Sequence, residues 1–216
     1  MPPRSAGPST RSDIPKREGI LDAATRVFLA RGFEDTSMDL VAREASVARR
    51  TVYNQFESKE ALFIASVERV WSEFPVVEIT ADESVLSDPA AGLKRIGDAV
   101  VDFWEPPIAV AFLRMVISEG TRFPDLPTTF FEAGKAPAMR ALVEYLRTLS
   151  ANRVLHVEDA ELAASQFLGL LNEPLLWLRV IGIGDAPSKE RREKVVAEGV
   201  SMFLSRYGKR QILPDS

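Results

Sequence analysis

Apolar residues recur at helical spacing along most of the chain, and glycine or proline interrupts the pattern at intervals. Ile20, Ala24, Val27 and Phe28 follow the i, i+4, i+7, i+8 spacing of one helix face. Only two runs, residues 76–79 and 154–157, resemble strands, and two short runs do not make a sheet. The spacing therefore predicts an all-α fold of about nine helices.

Capping residues indicate where several of these helices begin and end. Gly32 follows the first helix, as a C-terminal glycine does, and Ser58 and Ser188 precede two later helices as N-caps. A long helix is predicted to end near residue 149, with an interruption near Gly134 and Pro137.

The chain divides by composition into an N-terminal arm, a small helical cluster, a larger bundle and a tail. Residues 1–15 are rich in proline and serine, which predicts a disordered arm, either solvated or in nonspecific contact with phosphate. Residues 16–62 form the small cluster and residues 63–207 the bundle, with residues 76–87 as a linker near its start. Residues 208–216 are the tail.

The absence of cysteine and the presence of a single histidine exclude several kinds of site. Disulfides, thiolate metal sites, iron–sulfur clusters and cysteine nucleophiles require cysteine, and one histidine cannot build a multi-histidine site within one chain. His156, Glu158, Asp159 and Glu161 form a conceivable divalent-metal cluster, but a capped helix start on the surface is the preferred interpretation. We therefore predict no metal and no cofactor.

The net charge of -4, from 27 Lys+Arg and 31 Asp+Glu, excludes a protein that coats polyanions by bulk charge. Residues 1–70 carry 11 Lys+Arg and 10 Asp+Glu, a net of +1, so the acidity lies in the rest of the chain. The start lacks the apolar run of a signal peptide, and the most apolar stretch, residues 166–184, contains Glu173, Pro174 and Arg179. We therefore predict a buried helix there and a cytoplasmic protein.

Two short helices close together, residues 37–45 and 48–54, have the geometry of a helix-turn-helix. The outward side chains of the second form two i, i+4 pairs, Arg49 with Tyr53 and Arg50 with Asn54. Arginine pairs with guanine and asparagine with adenine in the major groove. Taken alone, Arg49 and Arg50 favour a surface helix that owes its arginines to solubility, so the surrounding pattern has to decide.

That pattern resembles the DNA-binding domain of the TetR/AcrR family of repressors over about fifty consecutive residues. The residues that carry the resemblance are Arg31-Gly32-Phe33, Thr36-Ser37-Met38, Val41-Ala42, Ala45, Val47, Thr51-Val52-Tyr53, Phe56 and Lys59-Glu60-Ala61-Leu62.

The resemblance implies a role for each matching residue. Arg49, Arg50 and Asn54 are expected to reach bases. The residues expected to hold phosphates are Thr36 or Ser37, Thr51, Tyr53 and Lys59.

The chain departs from the family pattern at the start of the second short helix. Ser46 occupies a position that is often glycine, Ala48 replaces a capping serine, and Gln55 replaces a histidine. None of these changes removes a base-reading group.

Members of this family dimerise through their last two helices, which implies residues 158–181 and 188–207 here, with two recognition helices on a near-palindrome. The apolar positions that these helices offer, for a dimer or for the chain's own core, are Ala160, Ala163, Ala164, Phe167, Leu168, Leu171, Val195, Val196, Val200, Phe203 and Leu204.

A second resemblance, to the AefR-like C-terminal domain, covers about residues 112–182. Its motifs are Phe112-Leu113-Arg114, Ser118-Glu119, Arg122-Phe123-Pro124, Phe130-Phe131-Glu132-Ala133-Gly134 and Gln166-Phe167-Leu168-Gly169-Leu170-Leu171.

The wider family holds a small-molecule pocket within this bundle, and aromatic side chains with a few polar groups are typical of such pockets. Core packing is the alternative for each aromatic residue. Pro174 is expected to kink or split its helix and so to open a pocket or fit the bundle's curve. The candidate pocket residues are Trp71, Phe74, Phe103, Trp104, Phe112, Met115, Phe131 and Trp177, with Arg114, Glu119, Asn172 and Glu173 as the polar ones.

The two resemblances together imply a homodimeric repressor that a small apolar or amphipathic effector releases from double-stranded DNA. A regulator without a ligand, an all-α enzyme and a protein-binding adaptor are the alternatives. Residues 181–187 form the only glycine-rich run, but they end in proline and follow no strand, so they are not a dinucleotide site. We therefore predict that the protein is not an enzyme.

Overall fold

A computed structural model describes residues 13–72 and 74–208, and the described chain is almost entirely helical. It forms two compact units, Met1–Arg69 and Val70–Ser216, so the division falls after the predicted boundary at residue 62. The predicted all-α fold is confirmed: within the described ranges the only β pairing is an isolated antiparallel bridge between Leu155 and Gly208. Most of the predicted arm and tail lies outside the described residues.

The first unit contains three helices and most of a fourth. They are α1 (Asp13–Arg31), α2 (Met38–Glu44), α3 (Arg49–Gln55) and α4 (Lys59–Trp71), the last of which ends in the second unit. Asp13 to Pro15 are already helical, so the arm predicted for residues 1–15 is wrong at its end. Proline is compatible with a first helical turn, where its missing N–H has no helical partner.

A buried aromatic cluster holds the first unit together. The predicted apolar face of α1 is buried, and the Phe28 ring lies 5.5 Å from that of Phe63 and 6.0 Å from that of Phe33, centroid to centroid. Gly32 ends α1 with a positive φ of 78°, a conformation that costs glycine little. The Ser58 side chain accepts a hydrogen bond from the Ala61 N–H at 3.0 Å, which confirms the predicted cap of α4.

The second unit is a bundle around one apolar core. Its elements are α5 (Val76–Ala81), α6 (Ser84–Ser87), α7 (Pro89–Trp104), α8 (Pro107–Glu119), α9 (Asp125–Phe130), a π-helical turn (Phe131–Lys135), α10 (Ala136–Ala151), α11 (Ala160–Val180) and α12 (Lys189–Tyr207). The linker predicted for residues 76–87 is wrong, because Val76 and Ile79 are buried on one face of α5 and Val85 is buried in α6. Elements this short have too few residues for their period to stand out in a sequence.

The long helices agree with the sequence predictions except at Pro174. Pro174 lies inside α11, yet the helix is continuous from Ala160 to Val180, so the predicted split is wrong. The interruption predicted near Gly134 is confirmed, and it takes the form of the π-helical turn. The Ser188 side chain accepts from the Arg191 N–H at 3.3 Å and caps α12 as predicted.

Candidate nucleic-acid interface and ligand cavity

The helix α3 presents a polar face to solvent and an apolar face to the first unit's core. Val52 is fully buried and Phe56, at its C-terminal end, nearly so. The predicted base-reading residues Arg49, Arg50 and Asn54 are all exposed, and Tyr53 is 43% exposed. One short helix thus carries two guanidinium groups, an amide and a phenol into solvent, as the i, i+4 pairs predict.

The guanidinium group of Arg49 is oriented by two neighbours. Its Nε lies 2.8 Å from Oδ1 of Asp39 on α2, and its Nη2 donates to the Tyr53 hydroxyl at 3.5 Å. Its Cζ lies 5.2 Å from the Tyr53 ring centroid. The Tyr53 hydroxyl first and the Asp39 carboxylate second raise the pKa of Arg49. The side chain of Arg49, one of the two arginines expected to read bases, is therefore already oriented in the absence of DNA.

The turn between α2 and α3 requires a left-handed residue, and Ser46 supplies it with a φ of 54°. The Val47 N–H donates to the Ala42 carbonyl at 3.0 Å and the Ser46 N–H to the Arg43 carbonyl at 3.1 Å. This is the hydrogen-bond pattern of a Schellman C-cap, whose left-handed position is usually glycine. Ser46, which stands where the family often has glycine, is thus backbone-strained. Ala48 gives α3 no side-chain cap.

Replacing Ser46 by glycine is expected to stabilise the first unit by about 0.5–1 kcal/mol. Relief of the left-handed strain contributes about 1–2 kcal/mol, and the greater freedom of glycine in the unfolded chain removes part of that gain. Chemical denaturation of wild type and Ser46→Gly measures the difference. Asp35→Gly, at an exposed position of the preceding loop without a positive φ, is the control and is expected to gain nothing. Equal stability of Ser46→Gly and wild type would contradict the assignment of strain to Ser46.

The candidate phosphate contacts lie in different environments. Ser37 is exposed and accepts from the Leu40 N–H at 3.2 Å, while Thr51 is half-buried. Thr36 is only 3% exposed and its hydroxyl donates to the Gly32 carbonyl at 2.6 Å. Burial of a hydroxyl that is already bonded argues against Thr36 as a phosphate contact and leaves Ser37 of the predicted pair.

The ammonium group of Lys59 is engaged within the chain. Its Nζ donates to the carbonyls of Phe33 and Glu34, at 2.8 and 3.0 Å, and lies 4.5 Å from the Phe33 ring centroid. An ammonium group has three donors, so one remains for a phosphate oxygen. The sequence did not indicate that Lys59 ties the loop after α1 to the start of α4.

Arg17 is a further cation beside the recognition helix. Its Cζ lies 5.1 Å from the ring centroid of Phe56, the residue that ends α3. The sequence indicated no role for Arg17 at this helix. Its proximity to α3 depends on how α1 packs, which no local pattern encodes.

A cavity of about 160 Å³ lies within the second unit and is lined mainly by apolar and aromatic side chains. A single water needs only about 10–15 Å³, so the space is sufficient for a small organic molecule. The lining residues are Trp71, Phe74, Val76, Ile96, Val100, Trp104, Leu113, Phe130, Lys135, Ala138, Met139, Leu142, Leu168, Asn172 and Leu176.

Stacked aromatic rings form one wall of this cavity. The ring centroid of Trp71 lies 4.2 Å from that of Phe103 in a stacked arrangement, and 6.0 Å from that of Trp104 in an edge-on one. Arg179, on α11, donates to the carbonyls of Trp104 and Glu105 and so fixes the end of α7. Burial lowers the pKa of the Arg179 guanidinium. Contacts from three helices thus hold this wall rigid.

Two polar atoms of the cavity residues are buried without a hydrogen-bond partner among the described residues, Nε1 of Trp71 and Oδ1 of Asn172. A buried polar group without a partner costs about 1–3 kcal/mol. Most buried polar groups in proteins are paired. Each of these two atoms exposes less than 1 Å² of surface, so neither borders a space that admits a water molecule.

Of the twelve candidate pocket residues, four line the cavity: Trp71, Phe74, Trp104 and Asn172. The others do not: Phe103 supports Trp71 from behind, Phe112 and Met115 are buried in the core, and Glu119 lies outside the lining. The prediction that Phe131 and Trp177 line a pocket is wrong, because their side chains are 44% and 55% exposed. Phe74 is confirmed as a wall residue, whereas Arg114 and Glu173 are exposed and outside the lining. Lys135 and the aliphatic lining residues gave no sequence signal distinct from ordinary core and surface positions.

The apolar residues of α11 and α12 fall into a buried group and an exposed group. Most of those named on α11 and α12, including Phe167, Leu171 and Phe203, are buried in the chain's own core, which is the alternative that the sequence left open for them. The exposed apolar residues on these helices are Leu162, Trp177, Leu178 and Met202.

Among the described residues, no group of three or more histidine or acidic side chains is arranged to hold a metal ion. None of the described helices has the length and apolarity needed to cross a membrane.

A helix-turn-helix with an exposed cationic helix, followed by a helical bundle with a ligand-sized cavity, defines a DNA-binding regulator. Two family models match the chain: "Bacterial regulatory proteins, tetR family" over residues 20–66 and "AefR-like transcriptional repressor, C-terminal domain" over residues 91–209. The chain belongs to the TetR/AcrR family of transcriptional regulators and has an AefR-like C-terminal domain.

Individual relatives agree with this assignment. A TetR-family transcriptional regulator from Mesorhizobium loti has a TM-score of 0.78 at 26% identity, over 93% of this chain and 100% of that one. The flavonoid-responsive regulator FrrA has a TM-score of 0.70 at 33% identity, over 91% and 98%. The Bacillus subtilis regulator YhgD is 46% identical over 50 residues, which is 23% of this chain and only 26% of that protein.

Proposed function

We propose that this protein is a homodimeric repressor of a near-palindromic operator, which a small apolar or amphipathic molecule releases. The observation that carries the proposal is the exposed face of α3, where Arg49, Arg50 and Asn54 share one surface and Asp39 orients the first of them. Arginine and asparagine are the side chains that pair bidentately with guanine and adenine. A cytoplasmic location goes with this function, because the operator lies there.

The outer face of α11 and α12 supports a homodimer. Leu162 and Trp177 on α11 and Met202 on α12 are each more than half exposed, which is costly for large apolar side chains on a lone subunit. A shallow groove between the helices includes Gly169, and a Cβ added there would meet no atom within 4 Å. A helix of a second copy can therefore approach closely.

The α4 helix supports a route from ligand to DNA. It begins at Lys59, whose ammonium group holds the loop before α2, and it ends at Trp71, whose indole lines the cavity. A ligand that displaces Trp71 would move this helix, and so the spacing of two recognition helices in a dimer. Such a ligand must bind the DNA-incompetent state more tightly, since otherwise it shifts no equilibrium.

FrrA, the relative at 33% identity, is described as flavonoid-responsive, which makes flavonoids the first molecules to test here. The presence of a cavity with aromatic walls agrees with such planar ligands.

Selection of bound fragments from the source organism's genomic DNA tests the proposal. A repressor dimer is expected to enrich fragments with a shared near-palindrome, with half-sites one or more helical turns apart. A gel shift with that operator, with and without flavonoids, then tests release. Enrichment without a shared motif would contradict sequence-specific reading, and an operator complex that no ligand dissociates would indicate a constitutive regulator.

A further inference from the structure

A carboxylate on α2 lies against the base-reading face of α3. Oδ1 of Asp39 is 2.8 Å from Nε of Arg49, and the two side chains are 49% and 66% exposed. On its other side the Arg49 guanidinium lies near the Tyr53 ring, with Cζ 5.2 Å from the ring centroid. Asp39 is thus a negative charge within the cationic surface of the helix-turn-helix.

Neither folding nor attraction to DNA accounts for a carboxylate at this position. An exposed ion pair contributes little to the stability of a fold. The N-cap of α2 comes from Ser37, whose side chain accepts from the Leu40 N–H at 3.2 Å, so Asp39 is not needed to start the helix. Beside a duplex, its charge is repelled by the phosphates. The effect of Asp39 is therefore expected in what it does to Arg49.

The ion pair restrains Arg49 in a way that suits one base. Its contact is at Nε, within the stem of the side chain, so that Nη1 and Nη2 at the tip can face a base. Two parallel N–H donors match the O6 and N7 acceptors of guanine, whereas adenine places a donor beside its N7 acceptor. A freely moving arginine also contacts phosphates, which carry no sequence information. A restrained Arg49 loses less conformational entropy at guanine and reaches fewer phosphates.

We propose that Asp39 is a positioning residue that holds Arg49 for a guanine in each half-site and so raises the preference for the operator over other DNA. The inference rests on the proposed function, because it requires a protein that reads a near-palindrome.

Selection from duplex DNA with a randomised central segment tests the proposal without a known operator. Full-length wild type, Asp39→Asn and Arg49→Ala select from one library at one salt concentration, and sequencing gives the base preference at each motif position. Arg49→Ala is expected to lose a guanine preference at one position of each half-site. Asp39→Asn is expected to reduce that same preference about three- to tenfold, the effect of ordering one side chain only on binding.

Three further variants assign the effect to the Asp39 charge acting through Arg49. Asp39→Glu keeps the carboxylate at an exposed position and is expected to retain the guanine preference. Asp39→Asn added to Arg49→Ala is expected to change no base preference, because the arginine that it positions is gone. The matched control is Glu44→Gln, which removes a carboxylate of α2 that pairs with Arg26 at 2.9 Å. It is expected to leave every base preference unchanged.

Affinity for a scrambled duplex provides a second readout, by fluorescence anisotropy. Asp39→Asn is expected to bind scrambled DNA more tightly than wild type does, because a negative charge near the phosphates has gone. Its ratio of affinities for the selected motif and for scrambled DNA is expected to fall about three- to tenfold. A residue that only stabilised the fold would weaken both complexes and lower the melting temperature.

The proposal is overturned if Asp39→Asn keeps the guanine preference of wild type, because Asp39 would then act only as a charge. It is also overturned if that variant loses preference at every position, if its melting temperature falls well below that of wild type, or if Arg49→Ala loses no guanine. Failure of the proposed function looks different, since wild type itself would then select no shared motif.

Discussion

The variants Arg49→Ala and Arg50→Ala are each expected to weaken operator binding by about 1–3 kcal/mol, the range for an arginine that reads a base. Both guanidinium groups lie on the exposed face of α3, and neither is needed to fill the core, which Val52 and Phe56 provide. The loss is therefore expected in binding and not in folding. Fluorescence anisotropy at one fixed salt concentration, with operator and with scrambled DNA, measures it.

The control for these variants is Lys94→Ala on α7. It also removes one positive charge, but from the second unit, where Lys94 pairs with Asp98 at 2.7 Å. It is expected to leave operator affinity nearly unchanged. If the two arginine variants lost affinity for operator and scrambled DNA equally, they would be phosphate contacts and not base readers. Unchanged affinity in both would contradict the assignment of α3 as the recognition helix.

Gly134→Ala is expected to destabilise the second unit by about 1–3 kcal/mol and to abolish ligand binding. A Cβ at this position would lie 2.1 Å from Nε1 of Trp71 and 2.4 Å from two other indole atoms. The indole is stacked on Phe103 and flanked by other rings, so it cannot move aside without disturbing the cavity wall. Forcing an extra methyl group into a well-packed core typically lowers the free energy of unfolding by about 1–3 kcal/mol.

Calorimetric melting and a titration with a flavonoid measure both effects. The matched control is Gly19→Ala on α1, where an added Cβ meets nothing within 4 Å. This substitution within a helix is expected to stabilise the first unit by about 0.5–1 kcal/mol, so its effect has the opposite sign to that of Gly134→Ala. Equal effects of the two alanines would contradict the close contact between Gly134 and Trp71.

The sequence predicted the position and the exposed polar face of α3 well because their signals are local. The i, i+4 spacing of Arg49 and Tyr53 places both side chains on one face wherever the helix lies, and Ser46 was identified as an unusual turn residue. The structure adds the hydrogen bonds that demand a left-handed residue there. The sequence left Thr36 and Ser37 open as phosphate contacts, and it could not distinguish them because the burial of Thr36 and its bond to Gly32 depend on how the loop packs.

The cavity was only partly predicted because aromatic composition does not distinguish a pocket wall from a core. Trp71, Trp104 and Asn172 line it, but Phe112 and Met115 are buried core and Trp177 is exposed on another face. These residues have similar local patterns and differ only in what the neighbouring helices place against them.

The sequence by itself determined the all-helical fold, most helix ends and the cationic recognition helix, because periodicity and capping act over a few residues. The tertiary structure alone decided which polar atoms are left unpaired, which aromatics surround a cavity and where Lys59 donates its hydrogen bonds. Those properties arise when segments far apart in the chain come into contact. Burial and pairing are set by that contact and not by the residue types themselves.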